Sequence, residues 1–184
     1  ENVMRVVINY AGRIVDSETV GVGFFNRPNH IGVLEPGTIP AARALAARLT
    51  AAGLETQYCD KIALQVWEKV ILNAALCPIS ALTNLTIQAV MQLPRLRAIA
   101  EGIIREGIQV AAAEGVIFPE SFFSYCIDYL NKAGPHKPSM CADCESRRKT
   151  EIDFLNGMIS ERGARLGVPT PYNETVTSLI KGLE

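Results

Sequence analysis

Residues 60–76 read DKIALQVWEKVILNAAL, and they set the architecture of the chain. The run is apolar nearly all round, with Lys61, Gln65 and Glu68 forming a narrow polar strip. A helix with so little polar surface is a buried one. At about 100° per residue, Lys69 and Asn73 project with Ile62, Val66 and Leu76 rather than outward with Glu68. A lysine on a mostly buried surface must pair, run its head out to water, or give up its proton. Enzymes use such lysines as acids or bases. The same spacing also suits a lysine whose stem lies along apolar surface with its head in water. Pro78 is expected to interrupt the helix.

Before this run the chain is short and β-branched. Residues 4–10 (MRVVINY), 19–25 and 30–34 are strand-like, with a turn expected at Ala11-Gly12-Arg13 and a stop at Pro36-Gly37. After Thr38 the character changes to helix. Pro40 opens an alanine-rich helix to Ala52, with Gly53 as its stop. Residues 80–86 read as a loop or short helix. Helices follow over 96–113, stopped by Gly115, and 119–132, stopped by Gly134. From Lys137-Pro138-Ser139 the sequence stays helical in character to Leu166, and a last helix is expected from Asn173, as its N-cap, to Leu183. A small β part over residues 1–37 therefore precedes a helical domain over 38–184. That pattern reads as segregated α+β, or as the tail of one domain joined to another.

Composition narrows the classes. At 184 residues and 48% hydrophobic, the chain holds one domain, or one domain plus a fragment of another. A formal net charge of −1 argues against nucleic acid as a partner. No apolar run looks long enough for a membrane span, and no signal peptide begins the chain. Five cysteines, an odd number, read as reduced cytosolic thiols, so a cytoplasmic location is expected.

Several motifs carry little. Gly21-Val22-Gly23 is not followed by the helix a phosphate site needs. Cys141-Ala142-Asp143-Cys144 could be a redox pair or half a zinc site, but Cys77, Cys126 and His136 complete it at no usual spacing. No metal site is expected. Asn84-Leu85-Thr86 and Asn173-Glu174-Thr175 match the glycosylation pattern without a secretory signal. His30 and His136 read as loop residues. Residues 139–156 (SMCADCESRRKTEIDFLN) are more informative. On helical spacing Glu151 shares a face with Leu155 and Met158, and it wants a cation. Lys69 is one candidate, and Arg147 or Arg148 on the surface the other.

Three pieces together resemble the ketopantoate reductase (2-dehydropantoate 2-reductase) family. They are Trp67-x-Lys69-x-x-x-Asn73 followed by Pro78; His136-Lys137-Pro138-Ser139-Met140 with Arg148-Lys149-Thr150-Glu151-Ile152-Asp153-x-x-Asn156-Gly157; and Gly167-Val168-Pro169-Thr170-Pro171-x-Asn173. They run in order from about residue 57 to the end. The resemblance implies a mainly α fold: an all-helical C-terminal domain like that of 6-phosphogluconate dehydrogenase, preceded by a few β-strands left from a Rossmann-type domain. It implies NADPH-dependent reduction of 2-dehydropantoate to pantoate, in pantothenate biosynthesis, at a cleft between the two domains. Lys69 would protonate the new alkoxide. Asn73 would hydrogen-bond the substrate, Ser139 would hold its carboxylate, and Glu151 would orient the substrate hydroxyl and the lysine. Asn84 is carried over as a looser substrate contact.

The sequence also departs from the family. The GxGxxG loop for NADPH is absent, so no residue of this chain is expected to bind the cofactor and the chain alone is expected to be inactive. Cys77 stands where the family often has a second asparagine, and Cys141 with Cys144 is not part of its pattern. The partners implied are a small 2-keto acid and a second copy of the chain as a homodimer. Two rivals remain: a reductase of another 2-keto acid, and a non-catalytic helical binding or dimerisation module linked by zinc at Cys141 and Cys144.

Overall fold

The computed structural model describes residues 3–184. The chain falls into two compact units divided between Val66 and Trp67.

In the first unit, β1 (Met4–Val7), β4 (Asn29–Val33) and β5 (Thr56–Tyr58) form a sheet in the order β1-β4-β5. β1 runs antiparallel to β4, with Val6 opposite Ile31, and β5 runs parallel to β4, with Tyr58 opposite Ile31. β2 (Tyr10–Ile14) and β3 (Val20–Phe25) form a separate antiparallel ribbon. The turn expected at Ala11-Gly12-Arg13 lies inside β2, where the register shifts between Ala11 and Gly12. A bulge tolerates glycine without ending the strand. α1 (Ile39–Ala51) packs on β4 and β5 through Ala42 and Ala46, which are buried with Ile31. These contacts carry the first unit past residue 37. β5 is three residues long, too short for an alternation to show in sequence.

The second unit is helical. α2 (Ile62–Thr83) begins in the first unit and provides the middle of the second unit's core through Trp67, Ile71, Leu72, Ala74, Ala75 and Ile79. Pro78 does not interrupt it, contrary to expectation. The ring removes one N–H, and the carbonyl four residues back is Ala74, which accepts instead from Asn156 Nδ2 at 3.1 Å. Because the helix is unbroken, its 22 residues are long and apolar enough to cross a membrane, which the sequence reading denied; most of that stretch is buried inside the protein.

α3 (Ile87–Gln92), capped by the Thr86 hydroxyl, and α4 (Pro94–Ala113) follow. α4 buries Ala100, Ile103, Ile104, Gly107 and Ala111, the spacing of one helical face. α5 is Phe122–Lys132. The helix expected to run unbroken to Leu166 is in fact α6 (Ser139–Glu145), an irregular stretch over 146–151, and α7 (Asn156–Leu166). Arg147 takes φ 51, which no helix accommodates. Gly167 ends α7 at φ 70, with the Val168 N–H bonded to the Gly163 carbonyl at 2.9 Å. α8 (Pro171–Lys181) starts earlier than expected. Asn173 is therefore not its N-cap but a fully buried residue of its first turn.

Candidate active site

Lys69, Asn73 and Cys77 are spaced one helical turn apart on α2, so they form a single strip. Lys69 and Asn73 are half-buried and Cys77 is buried. Apolar packing on both flanks makes this helix a rigid carrier. Glu68, beside Lys69, accepts from the Tyr125 hydroxyl at 2.6 Å, which ties α5 to α2.

Glu151 reaches this strip from the irregular stretch. Burial lowers the pKa of Lys69 from the ordinary 10.5, and the Glu151 carboxylate opposes that by favouring the ammonium. The same carboxylate, after burial and ahead of Cys141, holds the Cys77 thiol well above its ordinary value. Cys77 is thus a neutral thiol lining the strip, not a nucleophile. Of the partners open to Glu151 in the sequence, Lys69 is the one on which its charge acts. Arg148 instead pairs with Asp143 at 2.8 Å.

Met140 of α6 is buried in the same core as Cys77. Ser139 is the first residue of α6 and is exposed. Asn84 is not brought together with the others. It lies just past the end of α2, about 22 Å along the helix axis from Lys69 at about 1.5 Å per residue. Its φ is 57, and its side-chain oxygen accepts from Lys137, which also faces Glu145 at 3.4 Å. A substrate of a few carbons cannot touch both Lys69 and Asn84.

Burial raises the pKa of both Cys141 and Cys144, and all five cysteines are free. Among the described residues no group of three His, Cys, Asp or Glu is placed to hold a metal. A groove of about 550 Å³ lined by Ile79, Leu82, Leu96, Ile99, Tyr172 and Leu179 lies further along α2 and contains none of the candidate residues.

Two features were missed in the sequence. Thr150, adjacent to Glu151, is buried, and its N–H and hydroxyl both donate to Glu184 at 2.8 Å. Asn156 and Asn173 were quoted within the resemblance without a role for Asn156, yet both are fully buried and bonded to each other at 3.0 Å. Pro78 inside an apolar run was the available signal, since it leaves a carbonyl that some other residue must satisfy.

Chemically, the strip offers an ammonium whose proton burial holds less tightly than usual, an amide one turn away, and a carboxylate whose charge favours the ammonium. That set can stabilise and protonate an oxyanion.

Residues 61–184 match the family described as ketopantoate reductase PanE/ApbA C terminal. The 2-dehydropantoate 2-reductase of Streptococcus pyogenes serotype M3 is 32% identical over 166 residues, covering 89% of this chain and 53% of that protein. A PanE/ApbA family ketopantoate reductase from Ralstonia eutropha JMP134 superposes with TM-score 0.83 at 26% identity, covering 98% of this chain and 58% of that one. D-mandelate dehydrogenase, solved as a ternary structure with NADH and anilino(oxo)acetate, superposes with TM-score 0.85 at 25% identity, over 95% of this chain and 57% of that one. The chain thus spans about half the length of these relatives.

Proposed function

The chain belongs to the ketopantoate reductase family, matching its C-terminal domain, and on that premise we propose that it is the substrate-binding part of an NADPH-dependent 2-dehydropantoate 2-reductase. The observation that carries this is Lys69, half-buried on an apolar helix, with its proton loosened by burial and its charge answered by Glu151.

NADPH, when bound, supplies the hydride. The residues here do not fit a dinucleotide site, because no glycine-rich loop leads into a helix N-terminus. A domain outside these residues would hold it. The chain's own residues act on the acceptor. Negative charge develops on the ketone oxygen as it is reduced, and Lys69 Nζ both stabilises that charge and passes it a proton. Asn73 donates a hydrogen bond to the same end of the substrate. The Ser139 hydroxyl donates to the substrate carboxylate. Glu151 keeps Lys69 protonated between turnovers and orients it. We further propose the cytoplasm as the location and a homodimer through the helical unit as the assembly.

A second substrate class, another 2-keto acid, is favoured by one observation: Cys77 puts a neutral thiol, not an amide, one turn beyond Asn73. The D-mandelate dehydrogenase likeness leaves room for it. The test is turnover of the full-length protein that contains this chain, with NADPH or NADH and a panel of 2-keto acids. Oxidation of NADPH that depends on 2-dehydropantoate is expected. Faster turnover of another 2-keto acid would select the second class. No turnover of any would overturn the enzymatic reading in favour of a binding or dimerisation module.

A further inference from the structure

Pro78 sits in the helix that carries Lys69 and Asn73, and its missing N–H leaves the Ala74 carbonyl without the donor a regular helix would give it. A buried orphan carbonyl costs free energy and invites the helix to bend or open at that turn. The turn lies between Asn73 and Cys77, and any bend there would move the site strip.

Three side chains and two backbone N–H groups answer that demand in sequence. The Glu106 carboxylate on α4 is 6% exposed. It accepts from the Tyr172 N–H at 2.8 Å, the Asn173 N–H at 3.0 Å and Asn173 Nδ2 at 2.6 Å. An ionised carboxylate only accepts, so it fixes which way the Asn173 amide faces. With Nδ2 committed to Glu106, Asn173 Oδ1 is left to accept, and it does so from Asn156 Nδ2 at 3.0 Å. The other bond from Asn156 Nδ2 runs to the Ala74 carbonyl at 3.1 Å. Asn156 Oδ1 is buried and has no partner. Flipping the amide would turn that oxygen toward two other acceptors, so the orphan oxygen is the lesser cost. The orientation is thereby set from Glu106 onward, and no solvent contact contributes to it.

We infer that Asn156 is a positioning residue for the active site: it replaces the N–H that Pro78 lacks and so fixes the path of α2 between Asn73 and Cys77, with Asn173 and Glu106 holding its amide in register. This rests on the reductase reading of Lys69 for its consequence in turnover, though not for the hydrogen bonding itself.

The test is a double-mutant cycle in the full-length protein. Pro78→Ala restores an N–H at residue 78, which can reach the Ala74 carbonyl from within the helix. Asn156→Ala alone is expected to lower kcat by about 10–100-fold, as small misplacements of catalytic groups do, with a smaller change in KM. It is also expected to speed amide hydrogen exchange in peptides covering residues 70–80. In the Pro78→Ala background the same Asn156→Ala change is expected to cost less than about threefold in kcat and to leave that exchange unchanged. Equal losses in both backgrounds would overturn the inference, since Asn156 would then act only within α7 and α8. So would unchanged exchange over 70–80 in the single variant. If Asn156→Ala does not fold, recovery of folding by Pro78→Ala supports the inference and failure to recover overturns it. The exchange readout needs no substrate. A protein that reduces no 2-keto acid but keeps the exchange pattern would sink the activity reading while leaving the helix repair standing.

Discussion

Lys69 is carried on a 22-residue helix whose neighbours Trp67, Ile71, Leu72, Ala74 and Ala75 are all buried. Glu151 is itself exposed, on an irregular stretch flanked by buried Thr150 and Ile152 and tied by several polar contacts. Arg148 pairs with Asp143 at 2.8 Å, Thr150 with Glu184 at 2.8 Å, and Asp153 with Lys181 at 2.7 Å. Core packing fixes the first group along its length; the second is fixed by buried Thr150 and Ile152 together with surface polar contacts that are individually worth little. Lys69 therefore sits on the more extensively packed carrier, and the exposed Glu151 on one with fewer core contacts.

The largest effect should come from removing Lys69. In the full-length protein, Lys69→Ala is expected to lower turnover of the 2-keto acid by about 10²–10⁴-fold, the usual range for a general acid. Thermal stability should hold or rise, since a half-buried charge is removed. A loss under about tenfold in steady-state kinetics would mean that Lys69 is not the acid. Changing Glu151 should do less and act through pH. Lys69 works when protonated, so turnover falls as pH rises through its pKa, which burial has set below 10.5. Glu151 raises that pKa, so Glu151→Gln should move the alkaline limb of the kcat profile to lower pH. A limb that stays put or moves up would show that Glu151 does not act on Lys69.

The same contrast explains what the sequence made legible. An apolar run with one narrow polar strip can hardly be anything but a buried helix, so α2, and Lys69 and Asn73 on its inner face, were visible from 60–76 alone. The helical class and the preceding strands followed from similar local patterns, and the family likeness from the resemblance of three motifs. The stretch around Glu151 was not legible. Its helix-like composition gave way to tertiary contacts with Thr150, Asp153 and Arg148 whose partners lie up to 34 residues away. β5 was too short to show a period, and α2 crossed Pro78 because a donor 82 residues distant replaced the missing N–H. Asn173 looked like a cap for the same reason: its partner, Glu106, is 67 residues away. Asn84 matched a motif in one dimension and lies beyond reach of Lys69 in three. Periodicity reports which face is buried, and it carries no information on which polar groups meet across the core.

The smallest expected effect isolates the contact that ties down the stretch carrying Glu151. The Glu184 carboxyl is held below its ordinary value of 4.5, first by the Thr150 N–H and then by the Thr150 hydroxyl. Its contribution to holding residue 150 is therefore fully present above the unfolded carboxylate pKa and is lost as pH falls through the lower, folded value. Glu184→Gln keeps the shape and removes the charge at every pH, leaving two weaker hydrogen bonds in place of charge-assisted ones. Amide exchange over residues 146–155 should be modestly faster in this variant than in the parent at pH 7, and exchange over α2 should be the same in both. As pH is lowered toward the carboxylate range, the difference between the two proteins should shrink, because the parent loses the same charge by protonation. If α2 responds as strongly as 146–155, the two carriers are coupled in one cooperative unit, and the contrast between them fails.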